Sequence, residues 1–175
     1  MTVRILFVCY ENICRSPMAE GAFNRLLELR GVAGHFEAES AGTVGYQSGS
    51  FPDPRAVRAA ARAGIDISAN RARCIDELDL STFDHLFVMD HENHRDVAVV
   101  LDGYGLPPAR LVTDYAGTAA GFGIPDPYYG PETGFDSTLD SLAVCVRGIL
   151  DHLMAEYGIG MRDGGMGFEP GLQGA

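Results

Sequence analysis

The sequence predicts an α/β protein: a single three-layer domain in which a four-stranded parallel sheet is covered by helices on both faces. Three observations lead there. Arg4–Val8 and Phe83–Met89 are short apolar runs suited to strands buried on both faces. Segments of helical periodicity separate the strand candidates, so consecutive strands need crossovers and lie parallel. A chain of 175 residues that is 46% hydrophobic can bury one substantial core, and nothing in it marks a second.

In chain order, the first strand runs to Val8 and ends at Cys9. After five intervening residues come Arg15, then Ser16, suited to be an N-cap, and Pro17, suited to be the first helical residue. The helix continues to Arg30 with Met18, Ala22, Phe23, Leu26 and Leu29 on one face, and Gly31 ends it. A second strand fits Phe36–Ala41. The Gly/Ser-rich connection from Gly42 to Pro52 is long, which makes it a candidate binding loop. Asp53 and Pro54 open a helix through Ala63, closed by Gly64. After the third strand comes Asp90 and then a helix over Glu92–Leu101. His91 and His94 near its start lack a third ligand or an HExxH pattern, so they read as a solvated face and not as a metal site. A fourth strand is weakly signalled at Arg110–Thr113. The last helix carries Leu139, Leu142, Ala143, Val146, Ile149, Leu150 and Leu153 at helical spacing, with Thr133 and Asp136 resembling a capping box and Cys145 off the stripe. The domain is thus expected over 1–157. Gly158–Ala175, with seven glycines and no periodicity, reads as a flexible tail.

Composition excludes several functions. A formal charge of −11 argues against nucleic-acid binding. All 13 basic residues are arginine, so there is neither a Walker lysine nor a Schiff-base lysine, and any anion site must use arginine and backbone amides. Four cysteines without a CxxC pair write neither a zinc knuckle nor a thioredoxin-type motif. No apolar run has membrane-spanning length and the N-terminus does not read as a secretory signal. A soluble, cytoplasmic protein without membrane or metal is expected.

The chemistry concentrates in Cys9–Ser16, the loop CYENICRS. A strand, a tight loop and a helix N-terminus place the backbone N–H groups of Tyr10, Glu11, Asn12, Ile13 and Cys14 around one concavity suited to a multiply charged oxyanion, with Cys9 at its floor. A thiol is a strong nucleophile only as thiolate, and cations or the positive ends of dipoles favour that form. Arg15 brings a planar fork of donors that matches two phosphoryl oxygens. Ser16 can donate to the Cys9 sulfur, and Asn12 tolerates the left-handed backbone such a loop needs. Near the other end of the chain, Pro125-Asp126-Pro127 holds a carboxyl between two restricted residues. From these residues alone, Asp126 reads equally as a general acid and as a surface-turn aspartate.

At VCYENICRSPMAE, SAGTVGYQSGSFPDPRAV, FVMDHENHRDV and PDPYYG the chain resembles the low-molecular-weight protein tyrosine phosphatases, a likeness covering Val3 to about Tyr157. The resemblance implies an open four-stranded parallel sheet flanked by helices, in agreement with the strand count. It implies hydrolysis of aryl phosphate monoesters with no cofactor and a tyrosine-phosphorylated protein as substrate. By the same match Cys9 becomes a phosphocysteine, Arg15 clamps the phosphoryl oxygens, and Asp126 protonates the leaving group and later takes a proton from water. Tyr46 and Tyr128 fall where the family walls the substrate ring, and Cys14 falls where it keeps a second thiol able to trap an oxidised Cys9 as a disulfide.

Two positions depart from the family pattern. Glu11 replaces a glycine, and a carboxylate turned into the loop would repel phosphate, so it is expected to face outward. Asn70 stands where bacterial relatives often have a histidine supporting the loop asparagine. Two other readings remain: an arsenate reductase of the same fold, which needs further closely spaced cysteines, and a phosphotyrosine-binding module that does not turn over.

Overall fold

A computed structural model of the chain describes residues 2–117 and 120–160. Four parallel strands form one sheet: β1 (Val3–Cys9), β2 (Phe36–Gly42), β3 (His85–Val88) and β4 (Arg110–Leu111), in the order β2-β1-β3-β4. The helices are α1 (Arg15–Arg30), α2 (Pro54–Arg62), α3 (His91–Tyr104) and α4 (Thr133–Tyr157), with short 3-10 turns at Ile75–Glu77, Leu80–Thr82 and Val112–Tyr115. The predicted architecture is the observed one.

Strand alternation divides the core. Ile5, Phe7 and Cys9 of β1 join Phe23, Phe87, Phe135, Leu142 and Ile149 under α1, α2 and α4. Leu6 and Val8 turn the other way, to Val88, Val97 and Leu101 under α3. Both faces of β1 are therefore buried, which is why it reads as a continuous apolar run. Its register sets Cys9 opposite Gly42 at the carboxyl edge, and the strand order reverses between β1 and β3, where crevices form in such sheets.

Several boundaries differ from the sequence reading for identifiable reasons. α1 begins at Arg15, its N-cap is Cys14, and Ser16 lies inside the first turn. The Ser16 hydroxyl contacts Cys9 and the Ala41 carbonyl and so does not cap. Pro17 is tolerated in that turn because its missing N–H would have no intrahelical acceptor there. At α4 the N-cap is Glu132 and no capping box forms: Asp136 instead accepts from Arg62 Nη2 at 2.7 Å. Cys145 lies in the core and Ala143 is exposed. α4 packs against α1, α2 and the 112–115 turn at once, so its buried arc is wider than the stripe of leucines. Phe83 and Met89 lie outside β3, although Met89 N still donates to the Val8 carbonyl at 3.2 Å.

His91 Nε2 donates to the Gly121 carbonyl and His94 Nε2 to that of Ala109. Gly158, with φ 64°, caps α4, and of the expected tail, residues 161–175 lie outside the described residues.

Candidate active site

The carboxyl ends of β1 and β3 present Cys9 and Asp90 side by side with the loop that leads into α1. That loop is fixed from outside. The carbonyls of Cys9, Tyr10 and Ile13 accept from the backbone N–H groups of Thr43, Val44 and Asp53 at 2.9, 3.1 and 2.8 Å. Because N–H and C=O oppose one another across a trans peptide, carbonyls drawn outward turn the amides of Tyr10, Glu11 and Cys14 the other way. Asn12, at φ 60°, makes the left-handed bend. Gly42 lets the loop sit this low, since a Cβ there would lie 2.6 Å from the Tyr10 carbonyl oxygen and 2.9 Å from the Glu11 carbonyl carbon.

Beneath the loop a buried polar chain reaches the sulfur. The Ser16 hydroxyl lies 3.0 Å from Cys9 Sγ, and Asn12 Nδ2 donates to Ser16 Oγ at 2.8 Å and Ser40 Oγ at 2.9 Å. Ser40 donates onward to Glu20 Oε2 at 2.5 Å, and Arg73 N donates to Asn12 Oδ1 at 3.0 Å. Asn12 is thus supported by Ser40 and the Arg73 backbone, whereas Asn70 reaches Glu20. Burial pushes the Glu20 carboxyl above its ordinary range, against the Ser40 hydrogen bond and nearby Arg73.

Arg15 is 2% exposed, a costly place for a guanidinium without acidic partners. Its Nη1 donates to Asp90 Oδ2 at 2.5 Å and to the Ile124 carbonyl at 2.9 Å, and its Nη2 to Asp126 Oδ2 at 3.0 Å. Burial lowers its pKa, but Cys9, Asp126 and Asp90 outweigh that and hold the charge on. Nε is buried and has no partner among the described residues. Asp126 Oδ1 also accepts from Tyr128 N at 3.1 Å, a tight Asx turn.

A hollow of about 430 Å³ opens over the loop, lined by Cys9, Tyr10, Glu11, Ile13, Cys14, Arg15, Asp126, Tyr128 and Tyr129. Residues predicted from opposite ends of the chain therefore meet. Tyr46 is 77% exposed and is not among the lining residues; Tyr10 and Tyr129 line the hollow with Tyr128. Nor does any part of the 42–52 loop line it, for that segment braces the Cys9–Ser16 loop from behind. Glu11 is half-buried at the lining. Cys14 is buried beside Cys9, and burial drives its thiol pKa far up. Sequence reasoning missed the supports Ser40 and Gly42, whose roles depend on register between β1 and β2, and Glu20 and Arg73, which reach the network from α1 and from a distant loop, and it gave Asp90 a place without a partner.

An open parallel sheet with a cysteine, an amide-lined loop and a buried arginine at its carboxyl edge makes an α/β protein with a site suited to a phosphate-like oxyanion. A profile of the family described as low molecular weight phosphotyrosine protein phosphatase matches residues 4–158. The human protein of that name is 33% identical over 162 residues, covering 86% of this chain and 95% of its own. The Schizosaccharomyces pombe protein is 36% identical over 134 residues, covering 76% and 85%. The crystal structure of YfkJ from Bacillus subtilis superposes with a TM-score of 0.82 at 32% identity, covering 89% of this chain and 97% of that one. The chain belongs to the low molecular weight phosphotyrosine protein phosphatase family and is an enzyme, a phosphoric monoester hydrolase.

Proposed function

We propose that this enzyme dephosphorylates tyrosine-phosphorylated proteins through a phosphocysteine intermediate. The observation that carries the reading is Arg15: a buried guanidinium, oriented by Asp90 and the Ile124 carbonyl, shares one hollow with Cys9 and keeps an unpartnered Nε. A phosphoryl group bound over the loop would satisfy that donor and the inward amides together.

In the first step Cys9 Sγ attacks phosphorus and the bond from phosphorus to the aryl oxygen breaks. The Asp126 carboxylic acid gives its proton to the departing oxygen, and the amides and Arg15 hold the equatorial oxygens throughout. In the second step water attacks the phosphocysteine and passes a proton to the Asp126 carboxylate. The S–P bond breaks, inorganic phosphate leaves, and the sulfur departs as thiolate facing the Ser16 hydroxyl at 3.0 Å. Tyr10, Tyr128 and Tyr129 around the opening suit an aromatic ring.

A reducing compartment such as the cytoplasm suits a nucleophile that must stay a free thiol. Among the described residues no helix is long and apolar enough to cross a membrane. The arsenate reductase alternative needs shuttle cysteines, but Cys74 and Cys145 are buried on opposite faces of the sheet, and burial pushes Cys145 up to about 11. Turnover of a phosphotyrosine peptide by the wild type and by Cys9→Ala tests the proposal. Activity is expected only in the wild type; equal release of phosphate by both would exclude Cys9 as nucleophile, and binding without release by the wild type would make the chain a recognition module.

A further inference from the structure

The segment bearing Asp126 is irregular and, apart from buried Pro127 and half-buried Tyr128, exposed, and its local hydrogen bonds, Tyr128 N to Asp126 Oδ1 and Gly130 N to the Pro127 carbonyl, are internal to it. Arg15 Nη2 holds the Asp126 carboxylate at 3.0 Å, and the backbone before the acid is tied through Ile124 to Arg15 and Met89, so it is the backbone after the acid that needs a further tie. The geometry points to Arg55 as the positioning residue that locks this segment to the phosphate-binding loop, an inference that rests on the proposed role of Asp126.

Arg55 lies in the first turn of α2, where the N-cap Asp53 grips it three times. Asp53 Oδ1 accepts from Arg55 N at 2.8 Å and Nε at 3.0 Å, and Oδ2 accepts from Nη2 at 2.8 Å. Thus oriented, the guanidinium donates from Nη2 to the Tyr128 carbonyl at 3.0 Å and from Nη1 to the Gly130 carbonyl at 3.3 Å. Its plane packs over the rings of Phe135 and Tyr128, 4.5 and 5.6 Å from their centroids. On the other side, Asp53 N donates to the Ile13 carbonyl at 2.8 Å, so the same N-cap is tied to the loop that carries Cys9. One path of hydrogen bonds, charge-assisted from Asp53 onward, therefore runs from the nucleophile's loop through Asp53 and Arg55 to two carbonyls that follow the acid. A flat fork of donors is required, because Asp53 and both carbonyls are met from a single plane; a lysine ammonium cannot reach all three.

A residue that only holds the acid in place should affect catalysis as the acid does, and only there. In Arg55→Ala and Arg55→Lys, kcat/KM for phenyl phosphate, whose leaving group needs a proton, should fall at least about tenfold, and that for p-nitrophenyl phosphate less than about threefold. Inhibition by inorganic phosphate should stay within about twofold of wild type, since the binding groups are untouched. Adding Arg55→Ala to Asp126→Ala should bring little further loss, because the acid it positions is already gone. Equal slowing of both esters, parallel weakening of phosphate inhibition, or a full additive loss in the double variant would overturn the proposal. Melting temperatures separate a folding defect, and if Arg55→Ala fails to fold, Arg55→Lys carries the test alone. The single variant Asp126→Ala reads the underlying assignment: if it slows both esters alike, the acid is misassigned and the role of Arg55 falls with it, whereas a selective loss in Asp126→Ala without one in the Arg55 variants rejects Arg55 alone.

Discussion

Arg15 Nη1 and Asp90 Oδ2 meet at 2.5 Å although 75 residues separate them in the chain. The other Asp90 oxygen accepts from Asn93 N at 2.8 Å and so caps α3. One carboxylate therefore starts a helix and aims a guanidinium. It also occupies Nη1 together with the Ile124 carbonyl, while Nη2 meets Asp126, so that Nε is the donor without a partner among the described residues.

These two duties separate by mutation. Asp90→Asn keeps an N-cap oxygen but removes the charge that orients and compensates the buried Arg15, so inhibition by inorganic phosphate should weaken by roughly ten- to a hundredfold and stability should fall with the lost pairing. Asp90→Ala should weaken it as much and in addition lose about 1 kcal/mol of stability with the cap. Inhibition constants and melting temperatures measured together check this. Wild-type phosphate inhibition in Asp90→Asn would show that the Ile124 carbonyl suffices to aim Arg15.

Gly42 tests how closely the anion loop depends on β2. A methyl at this position would stand 2.6 Å from the Tyr10 carbonyl oxygen, 2.9 Å from the Glu11 carbonyl carbon and 3.0 Å from the Asn12 nitrogen, all backbone atoms that cannot rotate aside. Gly42→Ala should cost about 1–3 kcal/mol of stability by overpacking. It should also lower kcat/KM disproportionately, because the displaced peptides are those whose amides ring the hollow. An alanine variant with wild-type kinetics would mean that the loop tolerates being lifted off the strand.

How much of this was legible in the sequence follows from what each feature depends on. The strand of Arg4–Val8, the glycine stops at Gly31 and Gly64 and the Asp53-Pro54 helix start are local, and each stands within a residue or two of its expected place. The meeting of Cys9, Arg15 and Asp126 required the family likeness, because no local rule joins residues more than a hundred positions apart. The supports escaped notice for a related reason. Ser40 looks like an ordinary strand residue and Gly42 like a loop entry until the fold places them against Asn12 and Tyr10. Ser16 misled as a cap because a hydroxyl near a helix start has other partners open to it, here Cys9 and the Ala41 carbonyl, whereas Thr133 is already the first residue of α4 behind the N-cap Glu132.

The proposed pairing of Cys14 with Cys9 predicts how the enzyme survives oxidants. Its thiol is buried in the loop beside Cys9, with a pKa driven up chiefly by burial and then by the Cys9 charge, so it remains a protonated reserve while Cys9 is the first to react. Peroxide should convert Cys9 to a sulfenic acid, which Cys14 condenses with to give a disulfide and water. Inactivation of the wild type should therefore be reversed by dithiothreitol, and in Cys14→Ser it should become largely irreversible as oxidation proceeds to the sulfinic acid. Full recovery of Cys14→Ser after the same exposure would remove Cys14 from this role.

Glu20 adds a pH dependence to the stability of the same network. The carboxylate accepts from Ser40, which in turn accepts from Asn12, and burial raises its pKa in spite of that hydrogen bond. A carboxyl with a raised folded-state pKa holds its proton more tightly in the fold than in the unfolded chain. Its contribution to stability is therefore complete below the ordinary glutamate value, about 4.3, and is lost as pH rises through the raised one. Glu20→Gln keeps an acceptor for Ser40 and cannot ionise. Relative to wild type its melting temperature should match at about pH 4 and become progressively higher towards pH 7, because only the wild type then carries a disfavoured charge. Thermal unfolding of both proteins across that range reads the sign directly. A difference that stays constant with pH, or that favours the wild type near neutrality, would mean that Arg73 and Ser40 compensate the buried charge in full.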